Sequence, residues 1–252
     1  MINIAVCGIS GKMGRNIISV IESREDTAVC AGIDAYKAED IKYPIYSSAE
    51  EMTEKPDVII DFSNPSSLPS LAEYCKKTGT PIVFGTTGYS EEEKNSIREL
   101  SESVPVFFTF NMSLGINLLA SLAKKAAAIL GDRFDVEILE KHHNQKIDAP
   151  SGTAIMLGEA VNEAFNNEYE FIYDRHNVRQ KRSKKEIGMS SIRGGTIVGE
   201  HDVIFAGNDE VITLSHSAGS KKVFAEGAVN AAVYLVGKEP GMHDMTDLIA
   251  EL

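Results

Sequence analysis

The sequence predicts an α/β protein: an N-terminal Rossmann-like, doubly wound parallel sheet, followed by a second α+β domain with a mixed sheet. Three observations support this fold class. Up to about residue 112, short apolar runs alternate with stretches of helical spacing, which is the pattern of parallel strands joined by helices. A glycine-rich turn follows the first apolar run. Beyond residue 186, apolar runs follow one another across glycine turns, which favours mixed or antiparallel pairing.

The elements of the first part follow one another along the chain. Each predicted strand is a short apolar run, and the five strands are Ile2–Cys7, 28–33, 57–62, 81–84 and 104–109. Apolar residues at helical spacing predict helices over 13–22, 65–77 and 91–102. Right-handed connections between such strands would place all five in one parallel sheet.

The pattern changes after about residue 112. A long apolar helix is predicted over Leu114–Leu130 and ends before Gly131. A strand over 134–139 then runs into two adjacent histidines. The later elements are a helix over 151–165, strands over 188–192, 196–205 and 210–216, and a final helix over 223–236. This order is unlike the first part and indicates a second domain.

Composition restricts the classes of function. A net charge of −12 disfavours nucleic acid as a partner and means that an anionic substrate needs a locally positive site. No apolar run approaches the roughly 18 residues of a membrane span, and no basic region precedes the apolar start, so we expect neither a membrane partner nor a secretory signal. The three cysteines are far apart, as expected for thiols in the reducing cytoplasm. The basic stretch 179–185 is interpreted as a solvated loop, with a substrate-facing role as the alternative.

A glycine-rich turn, G-I-S-G-K-M-G, follows the first strand and opens the first helix. Its glycines would let the backbone approach a pyrophosphate at the helix N-terminus. Asp34 ends the next strand 20 residues beyond Gly14, where a carboxylate for ribose hydroxyls is expected. The glycines are spaced three and three, unlike G-x-G-x-x-G, so a tight turn without a ligand is the alternative.

Two further turns follow predicted strands. The turn 85–88 reads G-T-T-G, and the turn 109–112 reads T-F-N-M. Strand ends in such sheets face the ligand crevice, so 85–87 could line the nicotinamide side. A plain turn explains either segment about as well.

Residues 140–154 read E-K-H-H-N-Q-K-I-D-A-P-S-G-T-A, the most informative run of the chain. His142 and His143 can give or take a proton near neutral pH. Lys146 adds a positive charge or a second proton donor. A metal site is not expected, because adjacent side chains point apart and no carboxylate lies at helical spacing from them. The remaining histidines are interpreted as surface or structural residues: His176, His201, His216 and His243.

The end of the same run opens a helix. The backbone N–H groups of Ser151, Gly152 and Thr153 should point outward and form an anion site. Proton donors, a cation and an anion cradle within so few residues predict a pocket for a small, negatively charged substrate.

These motifs occur in one order, together with N-M-S-L-G-I-N from Asn111 and R-G-G followed by V-G-E-H from Arg193. The chain thereby resembles the 4-hydroxy-tetrahydrodipicolinate reductases, also called dihydrodipicolinate reductases, of bacterial lysine and diaminopimelate synthesis. The resemblance runs from residue 4 to about residue 247. It implies reduction of 4-hydroxy-tetrahydrodipicolinate, a cyclic dicarboxylate, to tetrahydrodipicolinate with hydride from NAD(P)H.

The resemblance also implies site residues. His142 and Lys146 correspond to the catalytic proton donors, and His143, Gly152 and Thr153 to substrate-binding positions. The implied cofactor-binding positions are Gly8, Ile9, Ser10, Gly11, Lys12, Met13, Asp34, Gly85, Thr86, Thr87, Thr109, Phe110, Asn111 and Met112.

The family plan implies a dinucleotide-binding domain of residues 1–112, onto which residues 223–252 pack back. Residues 113–222 would then form the substrate-binding and oligomerisation domain of a homotetramer. Some members carry an arginine after the ribose-binding acid, where this chain has Ala35. We therefore expect NADH to be preferred over NADPH. The positive charges of Lys12 and Lys37 should reduce this preference without reversing it.

Two other classes of function compete with this interpretation. A nicotinamide oxidoreductase acting on an aldehyde or semialdehyde would need a reactive cysteine, but none of the three lies near the histidine pair. A nucleotide-binding module without catalysis would have no use for the clustered proton donors and anion cradle.

Overall fold

The computed structural model describes residues 1–252 as two compact units, one of Met1–Leu114 with Lys221–Leu252 and the other of Gly115–Ser220. The strands are β1 (Ile2–Cys7), β2 (Thr27–Ile33), β3 (Ile45–Tyr46), β4 (Val58–Asp61), β5 (Ile82–Phe84), β6 (Pro105–Phe108), β7 (Asp135–His142), β8 (Glu170–Ile172), β9 (Glu186–Arg193), β10 (Gly199–Ala206), β11 (Val211–Ala218) and β12 (Gly241–His243). The helices are α1 (Lys12–Glu22), α2 (Leu68–Thr78), α3 (Glu91–Ser101), α4 (Leu114–Leu130), α5 (Gly152–Glu163), α6 (Lys222–Leu235) and α7 (Met245–Ala250).

The first unit is a seven-stranded parallel sheet in the order β12-β6-β5-β4-β1-β2-β3, with helices on both faces. Apolar residues of α1, α6 and α7 pack with one set of strand side chains, including Val6 and Ile60. Residues of α2 and α3 pack with the alternate set, including Ile59 and Phe84. The central strands are therefore buried on both faces, as the continuous apolar runs predict.

The second unit is a five-stranded mixed sheet in the order β11-β10-β7-β9-β8. β7, β9 and β8 run parallel, and β10 pairs antiparallel with both β7 and β11. Apolar residues of α4 and α5 pack on one face of this sheet against alternate strand residues such as Val136 and Phe205. The predicted two-part fold class is confirmed.

Every predicted helix and strand is present, with ends shifted by up to three residues. The shift that matters most is in β7, which continues to His142 because that residue still pairs with Arg193 of β9. The sequence interpretation missed four short elements: β3, β8, β12 and α7. Strands of two or three residues are too short to show a period of two.

Two expectations need correction. The segment Leu114–Arg133 has the length and apolar composition of a membrane span, so the statement that no run is that long was wrong. Core helices of globular domains also meet this test, and Leu119 and Ala123 of α4 lie in the core of the second unit. The basic stretch 179–185 is an exposed loop, as interpreted, except for Arg182, which is half-buried and donates to Asp135, Glu137 and three backbone carbonyls. These hydrogen bonds attach the loop to the sheet.

Candidate active site

A crevice lies at the carboxyl edge of the first unit's sheet, where the strand order reverses between β1 and β4. Ligands of doubly wound sheets bind at such a reversal. The crevice has a volume of about 410 Å³ and is lined by residues that follow β1, β2 and β4, among them Gly8, Gly11, Asp34, Phe62 and Ser63. Its position and size suit an extended nucleotide.

The glycine turn is held tightly against its neighbours. Gly8 has φ +78°, and a Cβ there would lie 2.3 Å from the carbonyl oxygen of Phe62. A Cβ at Gly14 would lie 2.3 Å from the carbonyl oxygen of Gly8. The following helix, α1, has neither a side-chain cap nor an acidic residue in its first turn. This helix N-terminus therefore fits an anionic pyrophosphate.

Asp34 lies at the end of β2 with its carboxylate fixed by the turn. One oxygen accepts the N–H of Ser10 at 3.0 Å and the other accepts the N–H of Tyr36 at 3.0 Å. A carboxylate has about four acceptor sites, so two remain for ribose hydroxyls. Lys12 and Lys37 are exposed.

Sequence reasoning missed one cation at this corner. The guanidinium of Arg15 donates to the backbone oxygen of Ser10 at 3.3 Å, and Ser10 is the residue whose N–H binds Asp34. It also forms a bidentate pair with Asp40 at 2.5 and 2.9 Å. The sequence signal for this cation was an arginine one helical turn into α1.

The other predicted cofactor residues divide into two groups. Gly85–Thr87 and Thr109–Met112 follow β5 and β6 at the same sheet edge as Gly8. Ile9, in contrast, is fully buried in the core, and Met13 packs against that core, so these two can contribute to a nucleotide site mainly through their backbone.

The second unit contains a buried polar cluster around Glu140, whose carboxylate is fully buried on β7. It accepts hydrogen bonds from both terminal nitrogens of Arg193 at 2.6 and 2.7 Å. His142, two residues along the same strand, places Nδ1 2.6 Å from the carboxylate. Burial alone would raise the pKa of Glu140, but the bonds from Arg193 and His142 outweigh it and lower the pKa to about 2. Glu140 is therefore ionised at neutral pH.

The ionised carboxylate determines the tautomer of His142. Because a carboxylate only accepts, Nδ1 must carry the proton that it shares with Glu140. Nε2 is then the nitrogen that can exchange a proton with a ligand. Gly199 lies beside it, and a Cβ at Gly199 would be 3.1 Å from Nε2.

The same carboxylate also binds the start of α5. The N–H of Ser151 donates to Glu140 at 3.1 Å, and the Ser151 hydroxyl caps the helix by accepting from the N–H of Ala154 at 3.2 Å. Gly152 is exposed, with open space where a Cβ would be. His142 and the helix N-terminus are thus held by one residue, Glu140, to which the sequence interpretation assigned no role.

Lys146 and His143 lie in the loop between β7 and α5. The Lys146 ammonium is 2.9 Å from a carboxylate oxygen of Asp148 and lowers the pKa of Asp148. Arg193 donates to the backbone oxygen of Asp148 at 2.7 Å, which ties the loop to the Glu140 cluster. Nδ1 of His143 is buried without a hydrogen-bond partner. An unpartnered buried nitrogen suits a residue that binds a polar ligand.

His201 completes the cluster. It is buried, its ring meets that of His142 edge to face at 5.1 Å, and its Nε2 is 3.1 Å from the Ser151 hydroxyl. Burial, and next the neighbouring His142, lower the pKa of His201 to about 4. His201 is structural in the sense that it supports Ser151, as a histidine inside a strand pattern predicts.

The depressed pKa of His201 predicts an acid-sensitive fold. Between about pH 6.5 and pH 4 the unfolded chain binds a proton that the folded chain excludes. The free energy of unfolding therefore decreases by about 3 kcal/mol as the pH is lowered through this window. The stabilisation from Glu140 is present above about pH 4.5 and is lost toward pH 2. Urea unfolding at about pH 7 and pH 4.5 measures the first effect.

His201→Gln should reduce the change in the free energy of unfolding between about pH 6.5 and pH 4. The control is His176→Gln in an exposed loop, which should leave that change as in the wild type. Equal pH slopes for His201→Gln and the wild type would show that another group titrates there.

The cysteines show no sign of reactivity. Cys7, Cys30 and Cys75 are free thiols. Burial raises the pKa of all three, to about 11 for Cys30 and about 12 for Cys75. A thiolate nucleophile for aldehyde chemistry is therefore disfavoured. No group of three or more His, Cys, Asp or Glu side chains is arranged to hold a metal ion.

Comparison with known proteins agrees with this geometry. The family description "Dihydrodipicolinate reductase, N-terminus" matches residues 2–112, and "Dihydrodipicolinate reductase, C-terminus" matches residues 115–249. A 4-hydroxy-tetrahydrodipicolinate reductase from Caldanaerobacter subterraneus subsp. tengcongensis is 47% identical over 249 residues, 99% of this chain and 98% of the relative. The chain belongs to the dihydrodipicolinate reductase family.

Other relatives extend the match. A 4-hydroxy-tetrahydrodipicolinate reductase from Clostridium novyi is also 47% identical, over 99% of this chain and 98% of its own length. A dipicolinate-bound dihydrodipicolinate reductase from Paenisporosarcina sp. TG-14 has been solved, and it is 26% identical with a TM-score of 0.80 over 97% of each chain. As a dihydrodipicolinate reductase family member, the protein is an NAD(P)H-dependent oxidoreductase, which confirms the predicted class of enzyme.

Proposed function

We propose that the protein reduces 4-hydroxy-tetrahydrodipicolinate to tetrahydrodipicolinate in the cytoplasm, as a step of lysine and diaminopimelate synthesis. The observation that carries the proposal is the buried cluster in which Glu140 binds Arg193, His142 and the N–H of Ser151. It joins a proton-transfer group to an anion-binding helix N-terminus. The names of the relatives support the same substrate.

The two units have separate roles in this proposal. The unit with Met1–Leu114 is the dinucleotide-binding domain, and it includes α6 and α7, whose residues belong to its core. The glycine turn would hold the pyrophosphate and Asp34 a ribose of the nicotinamide cofactor, which supplies hydride when bound. Gly115–Ser220 is the substrate-binding and oligomerisation domain.

The substrate chemistry follows from the second unit. The N–H groups of Gly152 and Thr153 at the start of α5 bind one substrate carboxylate, and Lys146 and His143 compensate its charge. Loss of the substrate hydroxyl as water gives a conjugated ring. Addition of hydride to that ring leaves electron density there, which a proton from His142 or Lys146 quenches. Because Nδ1 keeps its proton on Glu140, donation from Nε2 uses the doubly protonated ring, whose positive charge the Glu140 carboxylate balances.

An absorbance assay that follows oxidation of reduced nicotinamide tests the proposal. Purified protein should consume NADH only when 4-hydroxy-tetrahydrodipicolinate is present. An aldehyde or semialdehyde of similar size should give no comparable rate. NADH oxidation that ignored the dicarboxylate would contradict the proposed function.

The same assay tests cofactor preference. Asp34 should accept bonds from ribose hydroxyls, while a 2′-phosphate there would meet a like charge. Ala35 offers no cation, and Arg15 is already paired with Asp40. We expect use of both cofactors with a several-fold preference for NADH in kcat/KM, narrowing in Asp34→Ala. A clear preference for NADPH in the wild type would show that nearby cations outweigh Asp34.

The second unit's sheet also predicts assembly. Alternate residues of β7 and β10 are buried under helices, but those pointing the other way, such as Leu139 and Ile204, are only partly buried. A sheet face of this kind needs cover. We expect a homotetramer formed through β9–β11, measured by light scattering. A monomer mass at micromolar concentration would refute this assembly.

A further inference from the structure

One buried carboxylate in the first unit has no role in the site proposed above. Asp61 ends β4 and is 0% exposed. Only uncharged donors reach it, and burial raises its pKa against the effect of those donors. A carboxylate buried without a cation is costly, because it loses hydration that neutral donors replace only in part.

The hydrogen bonds of Asp61 connect two loops. One oxygen accepts from the hydroxyl of Ser63 at 2.5 Å and from its N–H at 3.2 Å. The other accepts from the hydroxyls of Thr86 at 2.7 Å and Tyr89 at 3.0 Å. The N–H of Ser63 also donates to the Thr86 hydroxyl at 2.8 Å, which closes the network. The segment after β4 is thereby tied to the segment after β5.

Both loops belong to the crevice edge of the sheet. Phe62 and Ser63 line the crevice itself. The ring of Phe62 packs directly against Gly85. A Cβ added at Gly85 would lie 2.2 Å from the nearest atoms of that ring. Ser63 thus lines the crevice, Thr86 follows β5 at the same sheet edge, and Asp61 sets the separation of the two loops. Without the carboxylate, the hydroxyl groups around it could rotate to other partners. The carboxylate of Asp61 holds them because it accepts hydrogen bonds from all of them at once.

We propose that Asp61 is a positioning residue for the nicotinamide cofactor: it sets the spacing of the Ser63 and Thr86 loops and does not touch the cofactor. The inference rests on the proposed cofactor site, but not on which substrate is reduced. Its signature is a loss of cofactor affinity with little change in the chemical step.

The test is Asp61→Asn, which keeps the size of the side chain but turns one acceptor into a donor facing Thr86 and Tyr89. NADH binding measured by its fluorescence should weaken about tenfold, since binding then includes ordering both loops. KM for NADH should rise in parallel, while kcat at saturating NADH and KM for the dicarboxylate stay within about twofold. If Asp61 were needed only for stability, the substitution would lower the melting temperature without weakening NADH binding selectively.

Two further variants keep the test decisive if Asp61→Asn folds poorly. Thr86→Val removes one arm of the network and should weaken NADH binding by a similar factor, and combining it with Asp61→Asn should add little. Tyr89→Phe is the control, because it removes a donor but leaves the Ser63–Asp61–Thr86 link intact. Wild-type NADH affinity in folded Asp61→Asn or in Thr86→Val would overturn the inference. A wild type that binds NADH but does not reduce the dicarboxylate would overturn the proposed function alone.

Discussion

His142→Gln is expected to lower kcat by at least about tenfold, and by as much as 10²–10⁴-fold if His142 is the main proton donor. Glutamine retains a polar group but cannot deliver a proton from the position of Nε2. NADH binding should be nearly unchanged, because His142 belongs to the second unit and the glycine turn to the first. Steady-state kinetics together with NADH titration measure both effects.

Lys146→Ala should lower kcat by at least about tenfold as well, through the loss of the proposed second proton donor or of the charge proposed to hold the substrate. The matched control is His176→Gln, an exposed loop histidine, which should keep wild-type rates. Near-wild-type turnover in both His142→Gln and Lys146→Ala would remove them from the mechanism.

Glu140→Gln is the second substitution for which we expect a large effect. The amide keeps the shape of the carboxylate but leaves the guanidinium of Arg193 without its buried counter-charge, which lowers the free energy of unfolding by about 3 kcal/mol. The amide also removes the negative charge that balances the protonated His142 ring, the form in which Nε2 has a proton to give. A drop in kcat of about 10–10³-fold should follow, by analogy with carboxylate–histidine pairs in other enzymes.

The two effects of Glu140→Gln can be separated. Urea unfolding gives the loss of stability, and kinetics at a temperature where circular dichroism shows a folded protein give the loss of turnover. Arg193→Lys retains one charge beside an intact carboxylate, so it should lose stability but keep more turnover than Glu140→Gln. If folded Glu140→Gln turned over at the wild-type rate, the carboxylate would have no part in orienting His142.

Local sequence patterns were sufficient to predict the first unit. The apolar run of β1, the glycine turn and the start of α1 are contiguous, and Asp34 follows at a fixed spacing. The positive φ of Gly8 and its contact with Phe62 exclude a side chain there, while its approach to a pyrophosphate stays a prediction. The short strands β3 and β12 were missed, since they are set by pairing with β2 and β6 and have no period of their own.

The candidate active site was predictable in its residues but not in its connections. His142, Lys146 and Gly152 lie in one short run, so their proximity could be expected. The bond between Glu140 and Arg193 joins residues 53 apart in sequence and depends on the parallel register of β7 and β9, which pairs His142 with Arg193. Arg182 was misjudged for the same reason, because the acids that bind it lie on a strand about 45 residues earlier.

We propose that the Glu140 cluster and the start of α5 form a dicarboxylate site. A crystal structure of the protein with NADH and 2,6-pyridinedicarboxylate, a planar mimic of the substrate ring, tests it most directly. We expect one carboxylate within hydrogen-bond distance of the N–H groups of Gly152 and Thr153, with Lys146, His143 and Nε2 of His142 around the ring. A ligand bound elsewhere, with these groups unchanged, would contradict the account.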